Sequence, residues 1–345
     1  MQVVGIVGTA KNTGKTTALT SILCELKSRN LSMAVTSIGY DGEDLDNLTF
    51  LPKPRIHLEK DTIIATSSLT LDTAKLQYEV LGETGLFTPL GQIIIAKVTL
   101  SGKIVIAGPN NIRDLKKIIS LIKNINPDLL FIDGAMNRMA PMFLADKLIF
   151  STGASRSIEI ENISEEMKLI GMLFSKDTCS QYSDTTSCLL IKDSAVTDTG
   201  VSALLDEKDY RGILSFKPED YDSLVIKGIF SSELLRILLK DIAVKRNKFR
   251  LVFQEPFRVL LSLNSISESG YNNIFPVNVD VLFSIKPKLI AVTVNSFFPK
   301  YENFHFLPGY VDKSELKEKV SVAVNVPVFD IFDDGSKNLV NLILN

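Results

Sequence analysis

VVGIVGTAKNTGKTTALTSIL, residues 3–23, changes texture twice in one short stretch. Val3, Val4, Ile6 and Val7 form an apolar run without polar alternation, the pattern of a buried parallel strand. Beyond Thr16, the residues Leu19, Ile22, Leu23 and Leu26 recur at the spacing of a helix face. The loop between them has the residue types that a phosphate demands. Backbone N–H groups can turn inward around an anion only where glycine permits unusual dihedrals, and the next helix points its positive end at the same charge. On this reading Gly8, Thr9, Asn12, Thr13, Gly14, Lys15, Thr16 and Thr17 line a nucleotide's phosphates. Lys15 reaches the outer phosphates and the Thr16 hydroxyl is a magnesium ligand. The spacing departs from the usual one at a single point: counted back from Gly14, the first glycine is due where Thr9 stands, and it sits one residue earlier, at Gly8. The alternative is a glycine-rich turn between a core strand and a helix.

The chain has 345 residues, enough for about two domains, and its 45% apolar and 23% charged content is that of a soluble globular protein. A net charge of −2 gives no electrostatic case for nucleic acid as the main partner. No run approaches a membrane span, and the N-terminus lacks the basic region of a signal peptide. Cys24, Cys179 and Cys188 are too few for a disulfide framework and suit a reducing compartment, so the reading is cytoplasmic. Cys24 reads as packing beside the first helix's apolar stripe. With His57 and His305 the only histidines, neither a zinc site nor histidine-activated nucleophilic chemistry is expected.

Further along, LSMAVTSIG (31–39) reads as a strand running into YDGEDLDNLT, where Asp41, Glu43, Asp44 and Asp46 cluster. GQIIIAKVTLSGKIVIAGP (91–109) reads as two strands joined by a tight turn at Ser101-Gly102. NNIRDLKKIISLIKNI has helical spacing, PDLLFIDGAMNR (127–138) is an apolar strand ending in an acid, and DKLIFSTGAS (146–155) is another with a polar exit. Strands alternating with helices predict an α/β fold, a doubly wound, mostly parallel sheet with one antiparallel element, and a site beyond the strands' carboxyl ends. From about Val201 a second alternating series begins without a second Gly-Lys-Thr. The expected division is a nucleotide-binding domain over 1–175, a linker or surface loop over 176–200, and a smaller, partner-binding α/β domain over 201–345.

Phosphoryl transfer needs held phosphates, a divalent ion and a group that positions the nucleophile. Lys15 and Thr16 fill the first roles, and Asp133, ending LLFID, is the acid expected to support the magnesium. Asp41 is the candidate for positioning water beside the same ion. Lys15, Asp41 and Asp133 are thus the catalytic set, and Thr16, Asp41 and Asp133 the metal set. An acid at a strand end also suits a turn cap, and an acid-rich loop also suits plain solvation.

GTAKNTGKT resembles the phosphate loop of the dethiobiotin synthetase family, which has Gly-Thr, four residues, then Gly-Lys-Thr, and so places its glycine as Gly8 is placed. FIDGAMNR is similar to that family's strand-end motif of an acid followed by Gly-Ala-Gly, with Asp133 where the family has glutamate. This resemblance covers residues 1–160 and implies a P-loop NTPase of the kind that serves ATP-dependent ligases or metallochaperone-like switches. That family's Lys-Pro after the second strand, which binds the diamine and carbamate, is replaced here by TSIGYDGED. SIGYDGEDLDNLT, TPLGQIIIAKV, IDGAMNR and STGAS together resemble, over most of the chain, the P-loop subunits of lysine 5,6-aminomutase reactivases. That resemblance implies an ATP- and magnesium-using assistant to a cobalamin-dependent aminomutase, working with a companion reactivase subunit to exchange damaged cofactor.

Three functions stand at this point: an ATPase that remodels a partner protein, an ATP-dependent small-molecule ligase, and a nucleotide-sensing binding module. Lys15, Thr16 and Asp133 count against the third. The acidic loop offers little to an anionic substrate, although Lys53 and Arg55 in PKPR suit a carboxylate. No Asn-Lys-x-Asp element is present, which favours adenine over guanine.

Overall fold

A computed structural model describes residues 1–39, 55–135, 140–243, 248–263, 267–302 and 305–345. The chain begins with β1 (Gln2–Gly8), α1 (Lys15–Ser28), β2 (Met33–Ser37), β3 (Ile56–Leu58), β4 (Ile63–Ser67), α2 (Ser68–Asp72), β5 (Lys75–Thr88), β6 (Gly91–Ile104), α3 (Ile112–Ile125), β7 (Leu129–Ala135), β8 (Lys147–Gly153) and α4 (Ile160–Ser175). It continues through β9 (Leu189–Lys192), β10 (Ala195–Asp198), α5 (Glu207–Leu214), β11 (Ser223–Ile226), α6 (Ser232–Ala243), β12 (Phe249–Phe253), α7 (Pro256–Ser262), α8 (Glu268–Ile274) and β13 (Val279–Phe283). The last part is β14 (Lys288–Asn295), the pair β15 (Phe297–Glu302) and β16 (His305–Tyr310), α9 (Lys313–Ala323), β17 (Val328–Asp330), α10 (Ile331–Asp334) and α11 (Lys337–Leu344).

The fold is mixed α/β. Ten strands form one sheet in the order β17, β14, β8, β1, β7, β2, β4, β6, with β3 and β5 also paired to β6. Every pairing from β17 to β4 is parallel, and those of β6 are antiparallel. The central strands are mainly apolar because both faces are covered, with polar residues toward their carboxyl ends. Val4, Ile6, Phe131 and Ile149 from the sheet share one core with Leu19, Ile22, Leu23 and Leu26 of α1 and with Leu339 and Ile343 of α11. Cys24 lies off this stripe and is exposed, against the packing role read from sequence.

Two further features differ from the sequence reading. Ser101-Gly102 is not a turn: β6 runs straight through it. Gly102 is there because β5 passes so close that a Cβ would lie 1.8 Å from the Lys75 carbonyl oxygen. The hairpin turn lies instead between β5 and β6, where Gly91 has φ +93°.

The second difference is the division of the chain. One compact unit comprises Met1–Ile163, Pro287–Val322 and Val326–Asn345, and the other Ser164–Lys286 with Ala323–Asn325. The boundaries at 175 and 200 are therefore corrected. Residues from 287 onward, apart from Ala323–Asn325, return to the first unit because β14 pairs in parallel with β8, and β17 with β14. Residues 176–200 are no linker, since they contain β9 and β10 of the second unit's five-stranded sheet.

In that second unit Glu255 is fully buried at the start of α7, where its carboxylate accepts from the Arg258 amide at 3.3 Å and from Arg258 Nε at 3.1 Å. Burial pushes its carboxyl up to about 7, against the opposing pull of Arg258 and the Phe257 and Arg258 amides. The folded value exceeds the unfolded one, about 4.3. The native state therefore holds the proton more tightly, and stability present below about pH 4.3 is lost as the pH rises through about 7. Hydrogen-exchange protection of β12 and α7 is expected to fall across that window, and Glu255→Gln to flatten the fall.

Candidate functional site

The loop joining β1 to α1 is built around Lys15. Gly8 ends β1, and a Cβ there would lie 2.7 Å from Lys15 Cδ and 2.8 Å from Thr13 Oγ1. The lysine stem therefore folds back across the strand end, and only glycine leaves room for it. Asn12 and Gly14 take left-handed φ values of +61° and +89°, which turn the loop back into the helix. Gly14 caps α1 without any side-chain acceptor, and the first turn has no acidic residue. The first amides of a 14-residue helix thus face a glycine-lined loop with no internal partner for their positive end.

The rest of the loop is braced by its own threonines and by neighbouring strands. The Thr9 amide donates to the Ser151 carbonyl at 2.9 Å, and its hydroxyl to Thr152 Oγ1 at 2.9 Å, both on β8. Thr13 Oγ1 donates to the Ala10 carbonyl at 3.1 Å. These two hydroxyls serve the loop's shape. Thr16 and Thr17 open α1 beside Lys15, partly exposed.

Asp133 stands on β7, the parallel neighbour of β1, in register with Ile6. Its Oδ1 lies 4.0 Å from Lys15 Nζ. That oxygen is buried and has no hydrogen-bond donor among the described residues. Burial pushes the Asp133 carboxyl upward, while the Lys15 ammonium and the Gly134 amide pull the other way. A buried, underserved carboxylate oxygen beside a partly buried ammonium suits a site that receives both an anion and a cation.

Lys15 and Asp133 therefore face each other, and Thr16 follows Lys15 in the first turn of α1. Asp41, with the rest of the acidic loop and Lys53, lies outside the described residues. Among the described residues no group of three or more His, Cys, Asp or Glu side chains is placed to hold a metal ion. A magnesium held by one strand-end acid and a helix-start hydroxyl would not need such a group.

Asn295 is the site residue that the sequence reading missed. It ends β14, and its Nδ2 donates to the Asn12 carbonyl at 3.1 Å, with its Cβ 3.4 Å from where a Gly14 side chain would begin. Ser155 Oγ donates to the Phe297 carbonyl at 2.9 Å and tightens the same corner. The signal was present: Asn295 is a polar residue ending an apolar run, as Asp133 is. Losing one such hydrogen bond costs about 1 kcal/mol. On the reading that this loop holds a nucleotide, Asn295→Ala is accordingly expected to lower that affinity about fivefold, measured by calorimetry.

No family model, curated protein or solved structure matches the chain. No helix among the described residues is long and apolar enough to cross a membrane.

Proposed function

We propose that the chain is a P-loop NTPase that binds ATP with magnesium and spends it on a partner protein. The observation that carries this reading is Lys15 folded over Gly8 and aimed within 4.0 Å of a buried, unpartnered oxygen of Asp133. A structural turn between a strand and a helix has no need of a lysine curled into its own loop. In this reading the loop amides and Lys15 hold the phosphates, and the Thr16 hydroxyl and Asp133 hold the magnesium. Bound magnesium would neutralise charge on the transferring phosphoryl group. The residues' own work is to position the phosphates and keep a fixed positive field where negative charge develops.

The resemblance to lysine 5,6-aminomutase reactivases names the partner: a cobalamin-dependent aminomutase, with a companion reactivase subunit. A second compact unit with its own five-stranded sheet supports a role beyond simple hydrolysis. The chain alone is expected to hydrolyse ATP slowly, and the aminomutase with its companion to accelerate it, in a steady-state phosphate-release assay. A fast basal rate that neither protein changes would remove the remodelling role. Turnover that begins only with a small carboxylic acid or amine would replace it with ligation.

A further inference from the structure

The second unit contains a cavity that the nucleotide reading leaves without a role. Its sheet runs β10, β9, β11, β12, β13. In register, Ser223 lies opposite Ile191 and Arg250, and Arg250 opposite Asp280, so these side chains share one face. Val252 and Leu282 form the next row on that face. Over it lies a space of about 480 Å³, roofed by Cys179 and Tyr182. That volume falls within the range of about 300–1,000 Å³ typical of small-molecule sites.

The roof is held in place. Lys227, buried at the end of β11, donates from Nζ to the carbonyls of Tyr182 at 2.9 Å and Ser183 at 2.6 Å. Arg258 Nη1 donates to the Lys227 carbonyl at 2.9 Å and is itself tied to buried Glu255. The Cys179 amide donates to the Phe283 carbonyl at 2.7 Å. Desolvating a lysine and a glutamate to fix one short segment is costly, and the result is a preformed space.

The rim has both signs of charge. The Arg250 guanidinium makes no hydrogen bond or ion pair among the described residues, and neither does the Asp193 carboxylate, while Asp222 and Asp280 complete the lining. Lys248 Nζ lies 3.9 Å from Asp280, yet three carboxylates still outnumber the two cations, which disfavours a plain anion such as phosphate. We infer that this cavity binds a small zwitterion of the amino-acid class. Its carboxylate lies on Arg250, its ammonium among the aspartates, and its hydrocarbon part over Ile191, Val252 and Leu282. Guanidinium and carboxylate match in a fork geometry, and the apolar floor supplies the remaining contact. All of these groups lie within residues 164–286, so the inference stands apart from the nucleotide reading.

Calorimetry of the full chain with L-leucine, L-arginine, n-butylamine and butyrate tests it. Both amino acids are expected to bind, and the amine and the acid alone to bind at least about tenfold more weakly. Arg250 is exposed, so Arg250→Ala leaves the melting curve in place and is expected to lose about tenfold in amino-acid affinity. No heat from either amino acid, butylamine or butyrate binding as tightly as they do, or an unchanged affinity in Arg250→Ala would each overturn the inference.

Discussion

Replacing Lys15 by alanine is expected to weaken binding of magnesium-ATP at least tenfold, about 1.4 kcal/mol, in a calorimetric titration. Hydrogen bonds to a charged partner are worth about 1.5–3 kcal/mol, and the lysine is placed to make them without first reorganising. Its stem already lies against Gly8, so little side-chain freedom remains to be lost on binding. The substitution leaves the fold standing, since Lys15 is no part of the apolar core. Equal affinity in wild type and variant would return the loop to a glycine-rich turn.

Asp133→Asn should behave differently, keeping much of the nucleotide affinity while losing about a hundredfold or more in hydrolysis. The amide has the carboxylate's shape, so the packing between β1 and β7 survives. What disappears is the negative charge that would meet a cation, and its effect is largest where phosphoryl charge is redistributed in the transition state. The oxygen concerned has no donor of its own among the described residues, so asparagine breaks no internal hydrogen bond there. Equal rates at saturating ATP and magnesium would make Asp133 a structural turn residue. The two variants thus separate holding the nucleotide from reacting it.

The β1–loop–α1 joint was legible because each of its determinants is local: an apolar run, two glycines, a lysine and a helical period. Asp133 was legible by the same means, as an acid closing an apolar strand. The place of β14 was not, because pairing with β8 is a contact between distant parts of the chain, and KLIAVTVN looks the same in either unit. Gly102 misled because a glycine required by a close backbone approach and a glycine required by a turn are the same letter. Asn295 was passed over for the reason that hid β14: its partner, Asn12, lies at the other end of the chain.

The return of β14 to the first sheet has a consequence for how the molecule is made. β8 and β14 are neighbours in space, yet the whole of residues 164–286 is synthesised between them. While the ribosome completes that stretch, β8 presents an open strand edge, which is a hazard for misassociation. The second unit has its own sheet and can close first. The older half of the protein is then finished by its youngest strands. Lys15 and Asp133 emerge early, and β8 can brace Thr9 early too, but the Asn295 contact to the Asn12 carbonyl is completed only in the last stage of synthesis.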